Sequence, residues 1–77
     1  MQLNIKYFGR IAEITNCNEE TFEFSKATIS KLLELLFAKY PELKTKDFQV
    51  AQNQEIVSLE TMVSGEDLAL LPPFSGG

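Results

Sequence analysis

Residues 68–71 read "LALL", a short run in which every position is apolar. The run follows a turn-like "SGED" at residues 64–67, and Pro72 ends it because proline has no backbone N–H to donate to a sheet. A strand that is apolar at every position is typical of a strand buried on both faces near the middle of a sheet. The last strand is therefore predicted to be central, with a neighbour on each side.

Two candidate neighbours lie at the amino end. Residues 2–7, "QLNIKY", alternate polar and apolar side chains, which predicts a half-buried strand. Residues 21–24, "TFEF", place two phenylalanines on one face, and the break at Gly9 with the polar cluster at residues 16–20 indicates a long loop between the two segments. Together they predict a hairpin.

The middle of the chain predicts one helix. Thr28 is a suitable N-cap because its hydroxyl accepts a hydrogen bond from a free backbone N–H, and Pro41 ends the segment. Between them the apolar residues repeat with the period of a helix and form one stripe. The stripe consists of Ile29, Leu32, Leu33, Leu36, Phe37 and Tyr40.

Residues 48–59 predict a second hairpin, turning at Asn53-Gln54, because asparagine tolerates the left-handed backbone of a tight turn. One helix can cover one face of one sheet, so the fold class is α+β. Placing the last strand beside the first, in parallel, gives a β-grasp arrangement: a mixed sheet of four to five strands packed on one main helix. At 77 residues, the chain is predicted to form a single domain, 1–77.

The charge balance narrows the class of partner. Seven Lys and Arg residues stand against 11 Asp and Glu, a net charge of −4. Nucleic acid and anionic membranes both require a basic face, so neither is expected as a partner, whereas a basic protein surface is compatible. The sequence has neither an apolar run of roughly 20 residues nor a signal-peptide pattern, which favours a cytoplasmic location.

The side chains offer little chemistry of their own. One cysteine and no histidine exclude disulfide frameworks, histidine metal sites and histidine-based triads. Cys17 has neutral or acidic neighbours, which do not lower a thiol pKa, so an incidental cysteine is favoured. The acidic residues have no calcium-loop spacing and no phosphate-binding loop is present, so neither a metal nor a bound cofactor is predicted.

Three exposed-looking apolar residues remain. Phe8 falls on the polar side of the first strand, so it is either covered by a loop or exposed for a partner, and both readings stay open. Leu59 and Phe74 raise the same question.

The chain ends in a narrow tail, residues 72–77, predicted to be extended and flexible. Pro72-Pro73 favours extended geometry, and Ser75-Gly76-Gly77 has almost no width, so the tail can enter a narrow channel in another protein. Its carboxylate is an anion at neutral pH and a poor electrophile. Another protein must therefore activate it with ATP, which makes the domain a carrier.

"LLPPFSGG" (70–77), "SGEDLA" (64–69), "VAQNQEIV" (50–57) and "IKYFGRIAEITN" (5–16) together resemble one family, the small, sulfur-carrier subunits of molybdopterin synthase. The resemblance extends over the whole chain, and its most specific part is the C-terminal PP-x-[ST]-GG. The family is ubiquitin-like in fold, which also favours the β-grasp order.

The resemblance implies a role for Gly77. A ubiquitin-activating-type adenylyltransferase would adenylate it with ATP, and a sulfur donor protein would convert it to a thiocarboxylate. The tail, through Ser75 and Gly76, would enter the large catalytic subunit of a heterotetrameric synthase and give its sulfur to a cyclic pterin monophosphate. The catalytic side chains would belong to the large subunit. Phe74, Phe8 and Leu59 would contact partners.

The chain departs from the family pattern at three places. Ala12-Glu13 stands where an Arg-Glu pair is frequent, Gln52 stands where an apolar residue is common, and Phe74 is larger than the usual aliphatic residue. Two alternatives share the Gly-Gly tail: a sulfur carrier for another acceptor, such as thiazole or an amino acid, and a ubiquitin-like modifier of proteins.

Overall fold

A computed structural model describes residues 1–73 of the chain. This part contains five strands, two α-helices and a 3₁₀ turn. In chain order they are β1 (Gln2–Tyr7), α1 (Arg10–Thr15), β2 (Glu19–Glu23), α2 (Ile29–Lys39), the 3₁₀ turn (Pro41–Thr45), β3 (Gln49–Gln52), β4 (Glu55–Ile56) and β5 (Leu68–Leu71).

All five strands form one mixed sheet in the order β2-β1-β5-β3-β4. β5 is central, as predicted: it runs parallel to β1, with Tyr7 opposite Leu70, and antiparallel to β3. The prediction that β5 is buried on both faces is wrong. Leu68 and Leu70 are buried, but Ala69 and Leu71 are only partly buried, because the helix layer covers one face of the sheet and leaves the other open.

Helix α2 covers the inner face with its predicted stripe. The Oγ1 of Thr28 accepts a hydrogen bond from the backbone N–H of Lys31 at 3.3 Å, which confirms the N-cap. At the other end, Tyr40 leaves the helical conformation, with φ −129° and ψ 79°, as the residue before a proline is expected to do. The core between helix and sheet consists mainly of Leu3, Ile5, Tyr7, Ile11, Phe24, Ile29, Leu32, Leu33, Leu36, Leu43, Val50, Val63, Leu68 and Leu70.

Helix α1 and the 3₁₀ turn were not predicted; the pattern indicated a long loop where α1 forms and no regular element where the 3₁₀ turn forms. Each element is short, and an isolated helix of that length is unstable in water. Tertiary packing stabilises them instead: α1 buries Ile11 and the 3₁₀ turn buries Leu43.

The β3–β4 hairpin agrees with the prediction. Asn53 and Gln54 both have positive φ, 53° and 67°, as a two-residue type I′ turn requires. After β4 the chain passes the start of α2, where the carbonyls of Leu59 and Thr61 accept hydrogen bonds from the N–H groups of Ser30 and Ile29, each at 2.9 Å. These contacts satisfy two of the backbone donors that a helix leaves free at its first turn.

Candidate functional site

The tail residues named by the sequence lie outside the described part of the chain: Gly77, predicted to carry the chemistry, Ser75 and Gly76, predicted to enter a partner, and Phe74, predicted to contact it. The structure describes the tail as far as Pro73, and so describes its base. The residues around that base form the surface that a protein binding the terminal residues would contact.

The tail base lies where two parallel strands end side by side. Because β1 and β5 run in the same direction, Phe8 follows one strand at the same edge of the sheet where Pro72 follows the other. The N–H of Phe8 donates to the carbonyl of Leu70 at 3.2 Å, which extends the pairing by one step. The ring of Pro72 lies against Gly9, whose φ is +59°, and a β-carbon at Gly9 would come within 2.8 Å of the Pro72 Cγ.

An apolar strip crosses the open face of the sheet from the tail base to the far edge. Side chains alternate between faces along a strand, so the strand pairings identify which residues share the open face. Across β1, β5, β3 and β4 the apolar ones, here called the apolar strip, are Phe8, Leu71, Ala69, Ala51 and Ile56.

The two ends of the apolar strip are its most exposed parts. Phe8 is 44% exposed and Ile56 is 56% exposed. Phe8 lines a shallow cavity together with Lys6 and Glu19, two residues of the open face, so the described part of the chain does not cover it. Of the two readings of Phe8, the structure agrees with exposure, and its role in partner contact stays a prediction.

Leu59 is exposed as well, at 53%, but it lies away from the tail base. Its backbone is held against the first turn of α2, and its side chain lines a cavity of about 430 Å³ with Phe48 and Ile56. Ile56 belongs to the apolar strip and also to this cavity. The structure therefore places Phe8 at the tail base and Leu59 near the start of α2. The cavity that Leu59 lines extends to Lys46 and Asp47, two residues that also border Pro72-Pro73.

A polar cluster that the sequence analysis did not identify supports the end of β1. The Glu20 carboxylate accepts hydrogen bonds from the hydroxyls of Tyr7, at 2.5 Å, and Tyr40, at 2.8 Å, and from the Lys39 Nζ, at 2.7 Å. The rings of Tyr7 and Tyr40 meet edge to face with their centres 6.3 Å apart. We call these four residues the Glu20 cluster; it joins β1, β2 and the end of α2.

The ionisation of the Glu20 cluster follows from these contacts. Partial burial acts to raise the pKa of the Glu20 carboxyl, but the hydrogen bonds from Lys39, Tyr7 and Tyr40 outweigh it and hold that pKa below its usual value. Burial, followed by the hydrogen bond to Glu20, raises the pKa of Tyr7 far above the ordinary tyrosine range. At neutral pH, Glu20 is therefore ionised and both tyrosines keep their protons.

Gln52, noted as a departure from the family pattern, is buried on the inner face of β3 and fully engaged. Its Nε2 donates to the carbonyl of Met62 at 3.1 Å, and its Oε1 accepts from the N–H of Ser64 at 2.9 Å. A buried amide costs stability unless it is hydrogen-bonded, and here both ends are. Gln52 thus fastens the loop that precedes β5.

Other kinds of site have no counterpart within residues 1–73. No three His, Cys, Asp or Glu residues there lie close enough together to hold a metal ion. Likewise, no helix in that range has both the length and the apolar character needed to cross a membrane. Cys17 is partly buried, its carbonyl accepts a hydrogen bond from the Thr15 hydroxyl at 3.1 Å, and its incidental role stays a prediction.

Comparison with known proteins gives concordant results. A model of the ThiS family matches residues 5–77. The molybdopterin synthase sulfur carrier subunit of Chlamydomonas reinhardtii is 36% identical over an 83-residue alignment that covers all of both chains. SAMP1, a small archaeal modifier protein of Haloferax volcanii, superposes with a TM-score of 0.81 at 26% identity, again over all of both chains.

A third relative was solved together with a second protein. It is a chain of the complex of subunits 1 and 2 of the molybdopterin-converting factor from Helicobacter pylori 26695. It is 26% identical, with a TM-score of 0.67 and full coverage of both chains. These similarities support the ubiquitin-like β-grasp fold that the strand order shows.

Proposed function

The chain belongs to the ThiS family, and from that premise we propose that it is a sulfur carrier in molybdenum cofactor biosynthesis, the small subunit of a molybdopterin synthase. The observation that carries the proposal is the 36% identity to a sulfur carrier subunit of that enzyme along the entire chain. A likeness confined to the Gly-Gly tail would be shared by carriers of many kinds, whereas this alignment covers all of both chains.

The reacting group in this proposal is the carboxylate of Gly77. It attacks ATP held by an adenylyltransferase of the ubiquitin-activating type, so that pyrophosphate leaves and an acyl-adenylate forms. A sulfide equivalent delivered by a sulfur donor protein then attacks the acyl carbon, so that a C–S bond forms, the C–O bond to AMP breaks, and Gly77 ends as a thiocarboxylate. In the synthase the sulfur passes to the cyclic pterin monophosphate. Because the product contains two sulfurs, two loaded carriers act in turn.

The described residues hold the base of this tail in a fixed position on the domain. Pro72-Pro73 starts the tail beside Phe8 and Gly9, and the apolar strip offers a contact surface that begins at the same point. The partner that fits is the large catalytic subunit, which provides the catalytic side chains and completes a heterotetramer. The Helicobacter pylori complex of two subunits is a precedent for such pairing.

Intact-mass analysis tests the proposal. The chain is expressed with its adenylyltransferase and a sulfur donor, and the expected product carries one sulfur in place of one oxygen at Gly77. The loaded chain is then mixed with the large subunit and the pterin precursor, and molybdopterin should form. A terminus that stays a plain carboxylate under competent loading contradicts any sulfur-carrier role. Loading without molybdopterin formation points to another acceptor.

A second candidate function rests on the similarity to SAMP1 of Haloferax volcanii. A protein modifier with the same tail would be activated in the same way but would end in isopeptide bonds between Gly77 and lysines of other proteins. Immunoblots of cell extracts with an antibody against the domain distinguish the two functions. A ladder of larger conjugates would favour a modifier, and a single band at the size of the free chain would favour the carrier.

A further inference from the structure

A cavity opens on the helical side of the tail base, away from the apolar strip. It has a volume of about 530 Å³ and is bounded by the start of α1 (Gly9–Ile11), by residues 45–47 after the 3₁₀ turn, and by Pro72-Pro73. This volume lies within the range of roughly 300–1,000 Å³ that is usual for ligand pockets. Ile11 is only 2% exposed, so this part of the wall is apolar and continuous with the core.

Because the tail beyond Pro73 is short, a partner that binds Gly77 must come close to this cavity. Gly77 is four residues beyond Pro73, and a fully extended chain spans at most about 3.5 Å per residue. Gly77 therefore lies within roughly 14 Å of Pro73 along any path. A protein that receives Gly77 in its active site must come close to the tail base, which includes the walls of the cavity.

The charges around the cavity indicate the chemistry of that partner. Two cations, Arg10 and Lys46, and one acidic residue, Asp47, line this cavity. The same two cations also line a second, neighbouring cavity, where the acidic residues are Glu13 and Glu42. Both cations are exposed. The ion pairs within residues 1–73 join Met1 to Glu23 and Lys39 to Glu20, so that part of the chain gives Arg10 and Lys46 no ion-pair partner.

We propose that this cavity is a second docking point, in which the large subunit inserts a large apolar side chain flanked by a carboxylate that pairs with Arg10 and Lys46. The inference rests on the proposed function and adds to it a contact outside the sheet face. An apolar anchor buried in a pocket, with a charged rim, is the arrangement that concentrates binding energy at protein interfaces. Two contacts on opposite sides of Pro72-Pro73 would also fix the direction in which the tail leaves the domain.

The test uses two variants of the whole carrier and isothermal titration with the large subunit. Thr45→Trp narrows the cavity from its exposed rim, and the double variant Arg10→Glu, Lys46→Glu reverses the two charges. Ser25→Trp and the double variant Lys26→Glu, Lys31→Glu are matched controls, because all three residues are exposed and none lines the cavity. Thermal unfolding of every variant identifies any that fail to fold.

Each cavity variant should weaken binding of the large subunit by about tenfold, the effect of losing one interface hot spot, while the controls bind as the wild type does. The charge-reversal effect should shrink as salt is added. Folded variants of both kinds that bind like the wild type overturn the inference. So does a loss confined to loading, which would assign the cavity to the adenylyltransferase, or to self-association, which would assign it to a second copy.

The same experiment separates this inference from the function on which it rests. If the wild-type carrier neither loads sulfur nor binds the large subunit, the proposed function has failed. If the wild type does both and the cavity variants match it, only the second docking point has failed.

Discussion

Gly77 has no side chain, so any chemistry it performs belongs to its carboxylate. Deleting Gly77, or adding one residue after it, should abolish sulfur transfer because the reacting group then stands at the wrong distance from the partner's active site. All five strands and both helices lie within residues 1–73, so the melting temperature should not change. Mass analysis measures the sulfur transfer and thermal unfolding measures the melting temperature. A large loss of thermal stability would contradict the prediction that the tail does not contribute to the stability of the fold.

Glu20 accepts the hydrogen bonds that join the end of β1 to the end of α2. Glu20→Gln replaces a carboxylate that accepts three hydrogen bonds with a neutral amide, and should lower the free energy of unfolding by about 2 kcal/mol. Glu19→Gln is the matched control, since Glu19 is exposed and accepts one bond, from Asn4. Urea unfolding measures both, and equal losses would show that the Glu20 cluster contributes nothing special.

The pH dependence of stability provides a separate test of Glu20. Its pKa is lower in the folded chain than the value near 4.3 expected when unfolded, so ionised Glu20 stabilises the fold above that value. This contribution is lost as pH falls through about 4.3 and then through the folded-state pKa. The stability difference between wild type and Glu20→Gln should be constant at neutral pH and shrink in acid; a constant difference down to pH 3 would contradict it.

At the scale of elements, the sequence predicts what is locally encoded. Helix α2 has a stripe within its own residues and a cap and a stop directly beside it, and the β3–β4 turn has Asn53 where positive φ is needed. Helix α1 is capped at its end by Asn16, which has a left-handed backbone, and the 3₁₀ turn begins at Pro41, but both elements are too short to show an apolar stripe. They form because Ile11 and Leu43 fill space that other elements create, and a single sequence does not reveal that space.

Gln52 connects two elements, β3 and the loop before β5. Gln52→Leu should lower the free energy of unfolding by about 1–3 kcal/mol, because the Met62 carbonyl and the Ser64 N–H lose their partners. Gln49→Leu makes the same change on the opposite face of β3, where it is only partly buried, and should cost much less. Denaturant titration compares the two, and a Gln52→Leu chain as stable as the wild type would show that an apolar residue serves equally well here.

At the scale of the whole molecule, the apolar strip exists only because distant segments pair. Phe8→Ser and Ile56→Ser should each weaken binding of the large subunit by about tenfold without unfolding the domain, because both side chains lie on the open face. Leu35→Ser is the control, since Leu35 is a similarly exposed apolar residue on α2, away from the strip. Titration calorimetry measures the affinities, and equal effects at all three positions would mean that exposure alone matters.

The candidate site also has parts that the local sequence predicts and parts that only the folded chain reveals. The reactive tail is a local pattern, so residues 72–77 predict it without any structure. The Glu20 cluster brings together residues up to 33 positions apart, from Tyr7 to Tyr40, through the strand order and the packing of α2. For the same reason, the sequence placed Phe8 and Leu59 among possible partner contacts without showing that Phe8 adjoins the tail base and Leu59 the start of α2.

The parallel pairing of β1 with β5 gives the domain a direction. Met1 precedes β1 at one end of the strands and Pro72 follows β5 at the other end, and the six residues of β1 alone span about 20 Å. An affinity tag, a fluorescent label or a fused protein attached ahead of Met1 would project from the end opposite the tail. The amino end is thus a suitable site for a tag. Molecules immobilised on a surface through that tag would all have the end that carries the tail directed away from the surface.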